Sequence, residues 1–321
     1  MEAKVIEEER YEERMTDTVE PYLKEYAVRG STEGLYFEFY GRPDPKGTIV
    51  ISFGFTESCE KYHELIYYIH KEGYQAAIVD HRGHGRSFRE VEDLQLVHVD
   101  DFSQYVEDFH RFIMAEVMPR SEKKPLYLYA HSMGGCIGTL YLEKYPETFE
   151  KAVLNAPMYG INNGGIPDFA AGLLCRTAIL FGKKKKRLFT TGRFDPEEPF
   201  ENSGGDSSAR HCYYLKLRRE HAEYQTSCAS YGWALQAMKA GKRAITLERA
   251  AGISIPVLLF QAVNDTFVRA KEQDLFLCRI PNGRKVVKES KHEINRMPGD
   301  KLEAYMDEIF TFLELREKTT E

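Results

Sequence analysis

Three polar side chains, Ser132, Asp265 and His292, have the types and the order needed for nucleophilic acyl chemistry. A serine hydroxyl is a weak nucleophile and needs a base within hydrogen-bond reach. Histidine supplies that base near neutral pH, and a carboxylate holds its imidazole in the productive tautomer. Ser132 lies in Leu126-Tyr-Leu-Tyr-Ala-His-Ser132-Met-Gly-Gly135, an apolar run that meets small glycines directly after the serine. This order suits a serine on a sharp strand-to-helix turn, usually written G-x-S-x-G, with Ala130 at the first glycine position. On such a turn the backbone N–H of Met133 faces a developing oxyanion. The N–H of Phe55, in Phe53-Gly54-Phe55, is the expected second donor. Asp80 also follows an apolar run, but it enters a glycine-rich turn and is expected to brace that turn. Asp274 falls inside a helical pattern, which leaves Asp265 as the preferred carboxylate.

The elements that must position these groups alternate between strand and helix. Short strand-like runs occur at Leu35–Tyr40, Thr48–Phe53, Ala76–Asp80, Leu126–Ala130, Lys151–Asn155, Pro256–Phe260 and Lys285–Val287. Helical spacing separates them at 62–71, 101–118, 135–144 and 300–315. Such alternation implies a mostly parallel sheet with helices on both faces, and reactive groups gather beyond the carboxyl ends of its strands. Ser132, Asp265 and His292 all fall at such ends. The pattern breaks between about 158 and 252, where helical segments occur without a convincing buried strand. A structureless loop of that length is improbable, so this stretch reads as an inserted helical lid. The expected organisation is a core formed by residues 1–157 and 253–321 around a lid at 158–252. Residues 1–20 are acidic and polar, and an exposed helix or frayed tail is expected there.

Composition narrows the possibilities. A net charge of −6 disfavours a nucleic-acid binder that works through a basic face. The longest apolar run is too short to span a bilayer, and the first residues lack the basic and apolar regions of a secretory signal. Six scattered cysteines, without C-x-x-C pairs, read as reduced thiols of a cytosolic protein. No metal or cofactor is expected. Lys183-Lys-Lys-Lys-Arg187 reads either as a solvated loop or as a contact for anionic head groups. Glu57 and Arg82 lie beside the expected site, where internal braces are the favoured reading. Phe169, Leu173, Leu174, Ile179, Leu180 and Phe181, with Tyr213, Tyr214, Trp233, Leu235 and Met238, offer apolar area in the inserted block, some of it for an acyl channel.

The chain resembles the bacterial lysophospholipases of the α/β-hydrolase superfamily, which are similar to monoacylglycerol lipases. The resemblance rests on Phe53-Gly-Phe-Thr-Glu-Ser58, Asp80-His-Arg-Gly-His-Gly-Arg-Ser87, Ala130-His-Ser-Met-Gly-Gly135, Ala156-Pro-Met-Tyr-Gly160 and His292-Glu293. It covers roughly residues 35 to 315, with the lid only weakly matched. It implies an α/β-hydrolase fold and cleavage of the acyl ester of a lysophospholipid or monoacylglycerol. Ser132, His292 and Asp265 would form the triad, through an acyl-enzyme, with Phe55 and Met133 as oxyanion donors. Phe53-Gly54 stands where many monoacylglycerol lipases have His-Gly, and Ala130 points to the lysophospholipase-like subgroup. The implied partner is a single-chain lipid ester, met in the cytoplasm or peripherally at the inner membrane face through the lid. Hydrolysis of soluble short-chain esters and a non-catalytic binding role are the alternatives.

Overall fold

Apolar runs of five or six residues between glycine-rich turns are suited to strands buried on both faces. In the computed structural model, which describes residues 4–315, these runs become the centre of an eight-stranded sheet. Strands are numbered along the chain as β1 (Ala27–Thr32), β2 (Leu35–Tyr40), β3 (Thr48–Ser52), β4 (Gln75–Val79) and β5 (Leu96–Val97). They continue as β6 (Leu126–His131), β7 (Lys151–Asn155), β8 (Cys228–Ala229), β9 (Val257–Ala262) and β10 (Gly283–Lys288). The sheet order is β1-β2-β4-β3-β6-β7-β9-β10. β2 pairs antiparallel with both β1 and β4, and every later pairing is parallel. All residues of β3, β4, β6, β7 and β9 are buried. β5 and β8 form a separate parallel pair that ties the segment after β7 back to the chain before β6.

Several boundaries differ from the sequence expectation. The edge strand β1 was not expected, because Ala-Val-Arg-Gly-Ser-Thr carries no apolar run and is only partly covered. The helical run expected at 101–118 is an α-helix only over Ser103–Phe112, followed by a π-type turn at Ile113–Val117. Between β7 and β9 the main helices are Asp168–Leu180, Ser208–Glu220 and Tyr231–Ala244.

The expectation of an exposed helix or frayed tail over residues 1–20 is corrected; residues 1–3 lie outside the described residues. Residues 8–26 run through consecutive helical turns. Tyr11, Met15, Val19 and Leu23, spaced by four, bury one face of them. The acidic residues between them hide that stripe in a compositional reading. A buried charge cluster then fixes the segment. Arg210, fully buried, donates from Nη2 and Nε to Glu64 at 2.6 and 2.8 Å and pairs with Glu8 at 2.5 Å. Its guanidinium carbon lies 4.8 Å from the centre of the Tyr11 ring. One cation thus joins the N-terminal turns, the sheet-flanking helix His63–Lys71 and the helix Ser208–Glu220. Arg210→Ala would leave Glu64 buried without its partner, so unfolding in urea should show a loss of about 3–5 kcal/mol. A loss below about 1 kcal/mol would contradict this anchoring role.

Candidate active site

The turn after β6 holds Ser132 in a backbone conformation that few side chains adopt. Its φ is 51° and its ψ −116°, and it caps the helix Met133–Lys144. Positive φ at a non-glycine residue costs about 1–3 kcal/mol and persists only where neighbours enforce it. Here the Ser132 N–H donates to the Asn155 carbonyl at 3.0 Å, and the Ser132 carbonyl accepts from Met158 N–H at 2.9 Å. Gly134 makes the close approach possible, since a Cβ there would lie 2.0 Å from the Ser52 carbonyl oxygen. Ala130 fits because Gly138 stands opposite it in the following helix; a Cβ on Gly138 would lie 3.3 Å from that of Ala130. The alanine at this position is therefore accommodated by a glycine eight residues later.

Residues from three strand ends meet at this turn. His292 Nε2 is 2.8 Å from Ser132 Oγ, and His292 Nδ1 is 2.6 Å from Asp265 Oδ2. The other Asp265 oxygen accepts from the N–H groups of Phe267 and Val268 at 2.8 and 2.9 Å. Burial pushes the Asp265 carboxyl up, but the His292 contact and the two amides outweigh it and hold the group below its ordinary value. Met133 is the first residue of its helix, so its N–H has no acceptor within that helix and points toward the serine end. Phe55 lies in the loop after β3, its ring 4.1 Å from that of Trp233. His131, with its ring 4.7 Å from that of His292, is driven by burial down to about 4 and is neutral at pH 7.

The competing side chains have other partners. Asp80 accepts from the N–H groups of Cys59 and Arg86 at 2.9 and 2.8 Å, bracing the glycine-rich turn. Burial and the nearby Glu60 push it up to about 7. Arg82 pairs with Asp108 and Glu90, and Asp274 lies in the helix Ala270–Leu277. Glu90, His98 and Asp100 bring possible metal donors within 4.8 Å, yet Arg82 and Lys184 already pair with the two carboxylates.

Sequence reasoning missed the buried ammonium beneath the site. Lys61 Nζ lies 2.8 Å from Glu57 and 2.7 Å from Glu293. Glu57 also accepts from the Gly54 N–H at 2.5 Å and from the Tyr62 hydroxyl at 2.8 Å. Glu293 follows His292 and donates its N–H to Gly204 at 2.8 Å. Lys61 therefore links the loop that carries Phe55 to the loop that carries His292. The Glu57 and Lys61 spacing, one helical turn apart, was the available signal. Burial favours the neutral forms of both carboxyls, but Lys61 holds them below their ordinary 4.5.

A cavity of about 850 Å³ opens over Ser132 and His292. Leu174, Tyr214, Trp233 and Met238 line it as anticipated. Phe169, at the start of the helix Asp168–Leu180, and Leu180 and Phe181, at its end, instead face solvent, with 77, 82 and 74% exposure. The helix is apolar on two faces, and spacing alone could not say which face the cavity uses.

Lys61→Met should cost about 3–5 kcal/mol at pH 7, because buried Glu57 loses its ammonium partner and Glu293 keeps only Arg296, at 3.3 Å. Groups depressed in the fold lend stability that is present above their unfolded value and lost as pH falls through the folded one. The stability gap between wild type and variant should therefore shrink on acidification below 4.5, the ordinary value of these carboxyls. A gap independent of pH would contradict the assignment.

Known proteins resemble this chain in sequence and in fold. The family described as serine aminopeptidase, S33, matches residues 43–296. Lysophospholipase L2 of Escherichia coli (strain K12) is 33% identical over 256 residues, covering 77% of this chain and 74% of that protein. A monoacylglycerol lipase of Mycolicibacterium smegmatis is 26% identical over 291 residues, covering 90% and 95%. The fold is similar to that of a soluble variant of monoglyceride lipase from Saccharomyces cerevisiae in complex with a substrate analog. Its TM-score is 0.71 at 16% identity, with 92% of this chain and 95% of that one covered. The chain belongs to the serine-hydrolase family of the α/β-hydrolase superfamily that includes the lysophospholipases and monoacylglycerol lipases.

Proposed function

We propose that this hydrolase cleaves the single acyl ester of a lysophospholipid or monoacylglycerol through a Ser132-His292-Asp265 triad. The observation that carries the reading is the continuous hydrogen-bond chain from Ser132 Oγ to Asp265 at the floor of a large, partly apolar cavity. His292 takes the Ser132 proton as the hydroxyl oxygen attacks the ester carbonyl. Asp265 stabilises the imidazolium that forms, and the N–H groups of Met133 and Phe55 receive the oxyanion. The proton then passes to the leaving alkoxide, and an acyl group remains on Ser132. Water, activated by the same histidine, releases the fatty acid and restores the serine. The printed names of the bacterial relatives point to the two substrate classes, and the cavity volume suits a long acyl chain.

In this reading residues 158–252 act as the lid. Leu180 and Phe181 lie exposed at the end of the helix Asp168–Leu180, directly before Lys183–Arg187, and Phe169 lies exposed at its start. Among the described residues no helix is long and apolar enough to cross a membrane. The exposed apolar residues and the cations favour peripheral contact with an anionic surface, where each cation adds about 1 kcal/mol.

Ser132→Ala should abolish hydrolysis of both lipid classes while leaving the melting temperature near that of the wild type; retained full activity would refute the nucleophile. In sedimentation with vesicles of anionic lipid, the protein should pellet at low salt and less so at high salt. Replacing Lys183, Lys185 and Lys186 by glutamine should weaken that binding. Absence of binding at every salt concentration would remove the membrane contact.

A further inference from the structure

The cavity has two kinds of wall. Met158, Ile161, Leu174, Met238 and Phe267 present carbon and sulfur to it. The segment 193–218 presents Glu198, Asn202, His211 and Arg218. Charged and amide groups set against an acyl tail would lose water without compensation, so this second wall is built for a polar part of the ligand.

Arg218 is the fixed point of that wall. Its Nε donates to the Tyr224 carbonyl and its Nη2 to the Thr226 carbonyl, both at 3.1 Å. The guanidinium carbon lies 4.5 Å from the centre of the Phe194 ring. Nη1 stands 3.7 Å from Glu198 Oε2, too far for a hydrogen bond. A rigid cation and a carboxylate thus border the cavity as a loose ion pair with no hydrogen bond between them. Tyr214 connects them to the reacting end. Its ring centre lies 5.9 Å from Arg218 and 5.3 Å from Lys61, and its hydroxyl is 3.2 Å from Ser58 Oγ.

The charges of this wall select among head groups. A neutral glycerol offers Arg218 hydroxyl acceptors but no opposite charge, and a purely anionic group meets Glu198 beside its binding cation. A group carrying one charge of each sign satisfies both. We propose that this wall is a head-group subsite for a zwitterionic lysophospholipid, with the phosphate on Arg218 and the ammonium on Glu198. The inference rests on the ester-hydrolase reading of Ser132 and goes further by naming the head group and its residues.

The test compares kcat/KM for lysophosphatidylethanolamine, lysophosphatidylglycerol and monoacylglycerol of one acyl length. Arg218→Gln should lower the ratio of lysophosphatidylethanolamine to monoacylglycerol about tenfold, chiefly through KM, as expected for a lost charge-assisted contact. Arg218 also braces two carbonyls, so Glu198→Gln, at a partly exposed position, provides a second reading. That variant should lower lysophosphatidylethanolamine relative to lysophosphatidylglycerol. Ratios unchanged within about twofold in both variants would overturn the subsite while leaving the hydrolase reading intact. If the unmodified protein hydrolyses none of the three lipids, the hydrolase reading fails and the subsite falls with it.

Discussion

The strained backbone at Ser132 is the constraint on which the rest of the site depends. A residue at φ 51° does not stay there without support. The support comes from the two neighbouring strands. β7 offers the Asn155 carbonyl to the Ser132 N–H, and the carbonyl end of β3 leaves no room for a side chain at residue 134. The rigid parallel sheet therefore sets where the hydroxyl points. The helix behind it begins at Met133, so the same turn that lifts the hydroxyl also aims an unpaired helical amide toward the serine end. Moving the turn would displace the proposed nucleophile and one of its proposed oxyanion donors together.

Positioning the remaining groups falls to buried charge. His292 and Phe55 lie on separate loops, and no strand pairing holds one loop against the other. Lys61 does so, through Glu57 on one side and Glu293 on the other. Such a buried network is a weak source of net stability, since desolvation offsets most of the attraction. Its geometry is demanding, however, and removing one member exposes the others to an uncompensated cost. Glu293 also donates its N–H to Gly204, in the segment proposed as the lid. The loop of the proposed base is thereby in direct contact with the element that covers the cavity.

The central sheet was legible because β3, β4, β6, β7 and β9 are buried on both faces and read as short apolar runs. Ser132 and Asp265 were legible because each follows such a run, and His292 because it follows the short Lys285–Val287 segment of the exposed edge strand β10; the structure brings all three within hydrogen-bond reach. The edge strand β1 was not, since a half-exposed strand such as Ala-Val-Arg-Gly-Ser-Thr needs no apolar pattern. Residues 8–26 misled for a different reason. Their buried stripe, Tyr11, Met15, Val19 and Leu23, is diluted by glutamates and arginines that dominate the composition. Arg210 was hidden most deeply, because its ion pairs join residues far apart in the chain and leave no local signature; Lys61 left only its four-residue spacing from Glu57, with Glu293 distant in sequence. Arg218 carries the same lesson: nothing near it in sequence says that two carbonyls and a phenyl ring fix its orientation.

The central claim is that acyl transfer passes through Ser132. The most direct measurement is acid-quenched mass spectrometry of the protein during turnover of a lysophospholipid, followed by peptide mapping. A mass increase of one acyl group is expected, confined to the peptide carrying Ser132 and decaying once substrate is exhausted. Turnover with no acylated protein at any time, or acylation at another residue, would contradict it.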